Sequence, residues 1–532
     1  MIVAQAILTQ LANFGVKKIY GLVGDHIFQL VHELSDCPHH TFYPVRHEET
    51  ASLMASAQAK LTGEIGVCLA TGGPGAVHLL NGVADAYKDK VPLLAITGQE
   101  ATKDLGTEKK QVINQTSLFA GITCFSEQIV HQQATGDVLA RALSEAIANS
   151  LPAHIVIPKD ILSQPYTGQI FASSPYLNTL PQSPPEVIKD AAARLSQAKA
   201  PVILVGKGGT VDSQEIMQLA EKWQAPVVLT SVAKAMFHHD HPLVLGGIGD
   251  GGSEAATNIM NRADVVLAIG ANWWPEKYLS TNLTIIQLDS NPISLATNNP
   301  IAFGLVGDIR SMVEQLTKLI KKSAPKGWIE EVNKERANWL ELINQELAQA
   351  GTPCPPASII DGLNKTVASD AILTLDVGDH FVWFNRLFQG SGQTVLLSGK
   401  WRTLGFGLPA ALVAKCHYPD KQVVALVGDG GFVMTMADFI TAVKLNLPIT
   451  VVVVNNKSFA MEQNKMVSQG FTPFATQLTN PDFKLFAESC GGVGYTVSDS
   501  HELEETLQRA LATNKPCIVD VHTDTTPPPK PK

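Results

Sequence analysis

Gln422-Val423-Val424-Ala425-Leu426-Val427-Gly428-Asp429-Gly430-Gly431, with Asn455-Asn456 beginning 24 residues after Gly431, decides the reading of this chain. Residues 422–427 form a short apolar run and read as a buried strand. The glycines let the backbone turn sharply and approach a phosphate closely. Residues 432–446 read as a helix whose free N–H groups face an anion, and Pro448 ends it. Ile449 to Val454 reads as a second buried strand. Both polar clusters then sit at the carboxyl ends of parallel strands, where open α/β sheets bind ligands. An Asp carboxylate, an Asn amide oxygen and a nearby backbone carbonyl suit Mg²⁺, which completes its shell with phosphate oxygens and water. Taken alone, the same residues also read as a Gly-rich turn followed by an Asn-rich loop.

Length and composition set the frame. A chain of 532 residues is too long for one core, and length predicts about three domains. Polar, Pro-rich stretches separate three α/β blocks at 1–165, 187–325 and 352–525. The last residues, 526–532, carry four prolines and are expected to be disordered. The net charge of −9 argues against nucleic acid or an anionic membrane as partner. No apolar run is long enough to span a membrane. The N-terminal segment reads as a first amphipathic helix, without the charged start or cleavage site of a signal peptide. Seven scattered cysteines with no CxxC pair read as reduced thiols, so a cytoplasmic location is expected.

Working outward, Arg46-His47-Glu48-Glu49-Thr50-Ala51 follows an apolar strand and opens a small-residue helix that reaches Ala59. Gly-Asp-Gly followed by Asn-Asn resembles the signature of enzymes that use thiamine diphosphate. Over nearly its whole length the chain resembles the acetolactate synthase and pyruvate oxidase group of those enzymes. The resemblance implies three consecutive parallel-sheet α/β domains: pyrimidine-binding (1–165), central (187–325) and diphosphate-binding (352–525).

The resemblance also assigns roles, residue by residue. It puts the catalytic carboxylate on Glu48, with Glu49 one register step away. A carboxyl group against N1′ of the cofactor's aminopyrimidine is general acid–base chemistry, typically worth roughly 10²–10⁴-fold. Leu404, within Gly399-Lys400-Trp401-Arg402-Thr403-Leu404-Gly405, matches the bulky apolar prop that bends the cofactor, a proximity effect. Gln111 falls at an active-site glutamine. The implied Mg²⁺ ligands are Asp429, Asn456 and the backbone carbonyl of Ser458. Implied cofactor contacts are Gly24, Gly73, Pro74 and Asn81 in the first block. In the third they are Gly378, His380, Gly428, Gly430 and Gly431, then Phe459, Ala460 and Met461. Each has a plainer reading too: Glu48 as a helix-start carboxylate that complements the macrodipole, Leu404 as core, the glycines as turns. Asp379 is a carboxylate close to the expected diphosphate and is left without a role.

Gly206, Gly208, Gly249 and Asp289 match flavin-contacting positions in relatives that bind FAD, while other relatives keep the fold without it. The arginine expected after the strand 265–270 is absent, and the chain reads Ala271-Asn272-Trp273-Trp274. Both readings stay open. Three charged residues also depart from the group's pattern: Lys110, Glu462 and Lys465. Charges in an apolar pocket cost several kcal/mol, about that order, unless paired or matched to a substrate. Either Lys110 or Lys465 binds a second anionic group of the substrate, or these side chains face solvent or pair with one another.

The expected function is decarboxylation of a 2-oxo acid, pyruvate foremost, with thiamine diphosphate and Mg²⁺, followed by carboligation. The alternatives are an FAD-dependent oxidase, a simple decarboxylase and a catalytically silent regulatory paralogue. A homodimer or homotetramer with active sites between chains is expected, with a small-molecule substrate and neither nucleic acid nor membrane as partner.

Overall fold

The protein's structure, a computed structural model, describes residues 1–173, 181–271, 283–297, 299–321 and 324–530. Three six-stranded sheets follow one another along the chain, every strand pair parallel. This is the fold class that the sequence implies. The central strands of each sheet are buried along almost their whole length, because helices cover both faces, while edge strands such as Thr41–Pro44 and Phe125–Gln128 are partly exposed.

The first sheet is ordered Thr41–Pro44, Lys18–Gly21, Gly66–Ala70, Leu93–Gln99, Pro152–Pro158, Phe125–Gln128. The third is ordered Thr394–Leu397, Ile372–Leu375, Val423–Gly428, Thr450–Asn455, Cys517–His522, Val493–Val497. The two orders are the same when each sheet is counted from its own first strand. The middle sheet differs: Phe303–Val306, Thr284–Asp289, Val265–Ile269, Pro201–Val205, Val227–Leu229, Val244–Gly247. That is the order of dinucleotide-binding α/β folds.

Helix Glu48–Thr62 joins the first and third blocks by packing on helix Gly407–His417. Inside the first block the same helix packs against bare backbone: a Cβ at Gly66 would lie 2.0 Å from the Ala55 carbonyl oxygen, and one at Gly82 would lie 2.3 Å from Ser52. Tyr20, Met54, Leu412 and Val453 belong to one continuous core that spans both blocks. Within it Lys60 is buried against Asp85 (2.6 Å) and Asp89 (2.7 Å) and donates to the Leu397 carbonyl. Burial works against both charges, but the Lys60 ammonium and the N–H groups of Lys400 and Gly399 hold Asp89 below its ordinary pKa.

One local expectation is corrected. The helix after Gly431 starts earlier, at Asp429, and breaks. It runs Asp429–Thr435, passes through a tight turn at Met436–Asp438 and resumes as Phe439–Lys444. Asp438 takes up the break: its Oδ1 accepts from Thr441 Oγ1 and from the Arg46 N–H of the first block.

The candidate active site

A cleft of about 220 Å³ opens at the carboxyl end of the third sheet. It lies where strands Ile372–Leu375 and Val423–Gly428 run side by side, the switch point of the strand order. Gly378, His380, Leu404, Gly428, Asp429, Gly430, Gly431, Asn456, Ser458, Phe459, Ala460, Met461 and Glu462 line it. The chain therefore gathers nearly all the third-block candidates on one wall.

Asp429 begins its helix, where free N–H groups favour an anion. Its Oδ2 accepts from Lys457 N and Asn480 Nδ2, both at 2.7 Å, and its Oδ1 from Gly430 N. Burial raises its pKa and these hydrogen bonds oppose the rise. The two asparagines part company. Asn455 is buried, donates to Asp520 and accepts from Asn480. Asn456 lines the cleft, its Oδ1 accepting from Ser458 N. Lys457 between them has a left-handed backbone (φ 55°), which turns the segment back onto Asp429. A Cβ at Gly430 would lie 2.5 Å from the Phe459 ring, and one at Gly431 2.4 Å from Asp376 Oδ2, so both positions require bare backbone. A carboxylate, an amide oxygen and a serine at one glycine-lined cleft form an all-oxygen set that fits Mg²⁺ and a phosphate group.

Asp376 was not singled out by the sequence, yet it organises this wall. It is fully buried, and both its oxygens accept from Gly405 N, while Oδ1 also accepts from Val377 N. Burial pushes its pKa up to about 7. His380 Nε2 meets the Asp376 carbonyl at 3.1 Å, and burial pushes this imidazole down to about 4, so it is neutral near pH 7. Asp379 turns its Oδ2 to Asn464 Nδ2 at 2.7 Å. Thr525 and Thr526, at the start of the Pro-rich tail, accept from Asn464 and Trp383 and edge the cleft.

The first-block candidates gather elsewhere. Among the described residues, none from 1–165 lines the third-sheet cleft. Glu48 is buried at the first position of its helix, with Oε2 2.9 Å from His78 Nδ1. Gly75 comes so near that a Cβ there would lie 3.1 Å from Glu48 Oε1. Pro74 opens the short helix that carries His78. Gln111, left-handed at φ 64°, packs against Gly73, and Gly24 abuts Thr71. Glu49 goes a different way: its Oε1 accepts from Asn81 Nδ2 at 2.6 Å. Asn81 also donates to Thr403 Oγ1 and accepts from Trp401 Nε1. It thus ties Glu49 to the Leu404 loop of its own chain. His78 and Asn480 were invisible in sequence, because nothing local marks either one.

The three charged departures have partners. Lys465 Nζ lies 2.9 Å from Glu462 on one exposed helix face, and Lys110 Nζ lies 3.9 Å from Asp25. In the middle block, Gly206 N donates to Ile269 O and Gly208 N to Gly270 O; a Cβ at 206 would lie 2.4 Å from Gly270 O. Gly249 (φ 102°) sits in a loop whose Asp250 carbonyl accepts from Asn385 Nδ2 of the third block. Asp289 is buried, accepts from Asn291 N, and has its pKa raised by that burial. Asn272, Trp273 and Trp274 lie outside the described residues.

Comparison with known proteins bears on the three-sheet organisation. Residues 1–118, 188–316 and 376–521 match the N-terminal TPP binding, central and C-terminal TPP binding domains of thiamine pyrophosphate enzymes, in that order. The chain is 34% identical over 527 residues to the protein YdaP of Bacillus subtilis, covering 98% of this chain and 92% of that one. It is 31% identical over 552 residues to the acetolactate synthase isozyme 3 large subunit of Escherichia coli, covering 98% and 94%. It is 29% identical over 529 residues to the pyruvate oxidase of Lactiplantibacillus plantarum, covering 97% and 87%.

Proposed function

The chain belongs to the thiamine diphosphate-dependent enzymes of the acetolactate synthase and pyruvate oxidase family, and from that premise we propose a Mg²⁺-dependent enzyme that decarboxylates a 2-oxo acid, pyruvate foremost, and ligates the remaining fragment to a second carbonyl. The observation that carries the proposal is the single cleft shared by Asp429, Asn456, Ser458 and Leu404.

Bound thiamine diphosphate supplies a thiazolium carbon that serves as nucleophile and electron sink beside the substrate carbonyl. The chain's own residues do the rest. Asp429, Asn456 and Ser458 would hold Mg²⁺, while Gly378, His380, Gly430 and Gly431 would line the place of the diphosphate; the one N–H of neutral His380 is taken by the Asp376 carbonyl. Leu404 acts as the prop, fixed by Asp376 through Gly405. Glu48 holds or releases a proton at the aminopyrimidine N1′, and His78 orients its carboxyl group. The substrate's bond to its carboxyl carbon breaks and CO₂ leaves. The electron pair left behind forms the bond to the acceptor's carbonyl carbon, whose oxygen takes a proton.

Glu48 is absent from the wall of its own chain's cleft, which supports a site completed by a second copy. Exposed apolar side chains sit in both halves: Val23, Phe28 and Val77 in the first block, Met434, Phe471 and Phe474 in the third. Such exposure fits a homodimer or larger assembly in which the first block of one copy meets the third of another. Among the described residues no helix is long and apolar enough to cross a membrane. The central strand order would also accommodate FAD, in which case purified protein carries flavin's visible absorption and reduces it when given substrate.

The test is CO₂ release from pyruvate with and without thiamine diphosphate and Mg²⁺. Cofactor-dependent release that Glu48→Gln abolishes supports the reading. Release from none of several 2-oxo acids overturns it in favour of the silent paralogue.

A further inference from the structure

The loop 398–405 is tied down on all sides. Ser398 Oγ donates to Asp85 and accepts from Thr403 N. Asp89 accepts the N–H groups of Gly399 (2.8 Å) and Lys400 (2.7 Å). Trp401 donates to Asn81, and Gly405 to Asp376. In the middle of this rigid frame stands Arg402. It has a left-handed backbone, φ 61°, which a non-glycine residue adopts at a cost. Its guanidinium stacks on the Phe381 ring at 5.0 Å and lines the same cleft as Leu404, two residues on. The side chain is open to the cleft, yet packed enough for desolvation to lower its pKa, against the pull of Asp250 and Asp89.

No hydrogen-bond or ion-pair partner holds that guanidinium among the described residues, whereas Lys465 and Lys110 each face a carboxylate. A planar cation with five donors, presented on a strained and pinned loop, is suited to a bidentate oxyanion. The carboxylate that departs as CO₂ is a poor candidate. Its charge disperses in the transition state, so a strong ion pair in the ground state would raise the barrier. A carboxylate that survives the reaction carries no such penalty.

We infer that Arg402 is a specificity residue that binds a retained carboxylate of the substrate pair. This rests on the 2-oxo acid reading above. The retained group has two sources: the acceptor, when it is itself an oxo acid, or the far end of a dicarboxylic donor.

Kinetics of wild type, Arg402→Gln and Arg402→Lys separate the two. Pyruvate is supplied as donor with acetaldehyde or with 2-oxobutyrate as acceptor, and 2-oxoglutarate is supplied as donor with acetaldehyde. Loss of one charge-assisted contact predicts that Arg402→Gln lowers kcat/KM for an anionic partner roughly 10- to 100-fold more than for the pyruvate and acetaldehyde pair. A selective loss with 2-oxobutyrate assigns the acceptor, and one with 2-oxoglutarate the donor. Arg402→Lys, which keeps the charge but not the fork, recovers part of the loss. If the Gln variant is unstable, the Lys variant alone must shift the same preference. Equal losses for all three pairs, or a loss traced to weaker thiamine diphosphate binding by tryptophan quenching, overturn the inference. A wild type that releases no CO₂ from any 2-oxo acid overturns the functional reading and this inference with it.

Discussion

Both carboxylate oxygens of Asp376 accept the backbone N–H of Gly405, at 3.0 and 2.9 Å, one residue beyond Leu404. The bond joins the end of one strand to the loop that carries the prop. Gly431 packs on the same carboxyl group from the Asp429 side. Asp376→Ala leaves the buried Gly405 N–H unpaired and should cost about 1–3 kcal/mol of stability, read from denaturant midpoints. If the loop's position matters for chemistry, kcat falls by more than the change in cofactor Kd. Equal effects on both would mean that Asp376 only supports the fold.

Asn480 holds Asp429 from behind while also bonding Asn455. Partners of metal-ligating side chains typically contribute 10- to 100-fold in metal affinity, so Asn480→Ala should raise the Mg²⁺ concentration for half-maximal activity by roughly that factor. Activity at saturating Mg²⁺ should recover substantially. An unchanged Mg²⁺ requirement would argue against Asp429 as a ligand.

Lys60 neutralises the buried carboxylate of Asp85 and the half-buried one of Asp89 at the seam between the first and third blocks. Lys60→Met leaves Asp85 and Asp89 without their counter-ion. Removing one partner of a buried ion pair costs about 3–5 kcal/mol, so the variant's urea midpoint should drop sharply. Replacing Lys60 and both aspartates together should cost far less than the single change.

Glu100 gives the clearest pH dependence. Its hydrogen bond to Lys159, 2.5 Å away, holds its pKa down to about 2, with His26 and the Ala101 N–H assisting. An unfolded glutamate titrates near ~4.3. The folded value is the lower one, so this contribution is complete above the unfolded pKa and is lost as pH falls toward about 2. Glu100→Gln should flatten the acid limb of the stability curve over that window, as followed by chemical denaturation at a series of pH values.

The sequence makes the three-sheet fold legible, because buried parallel strands are continuous apolar runs and the glycine turns between them are local signals. Asp429 and Asn456 stand out for the same reason: both sit at strand ends next to those turns. Glu462 and Lys465 are three apart, and helical spacing alone brings them together. The break at Met436–Asp438 is harder to read. It depends on Asp438 capturing the Arg46 N–H from the first block, a contact 392 positions apart in sequence. His78, Asn480 and the bifurcated hydrogen bond that Asp376 accepts from Gly405 N are hidden for the same reason, since each is defined by a distant partner. Arg402 is visible as a letter, but that its guanidinium has no hydrogen-bond or ion-pair partner among the described residues is a property of the folded cleft.

The most direct measurement mixes two inactive variants, Glu48→Gln and Asp429→Ala, dissociates and reassociates them, and assays CO₂ release from pyruvate. In a mixed pair, one site combines the intact Glu48 of one copy with the intact Asp429 of the other. Sites shared between two chains give the mixture activity that neither variant has alone. Mixed assemblies that form but stay inactive would contradict such sharing, because Glu48 and Asp429 would then have to serve the same site from a single chain.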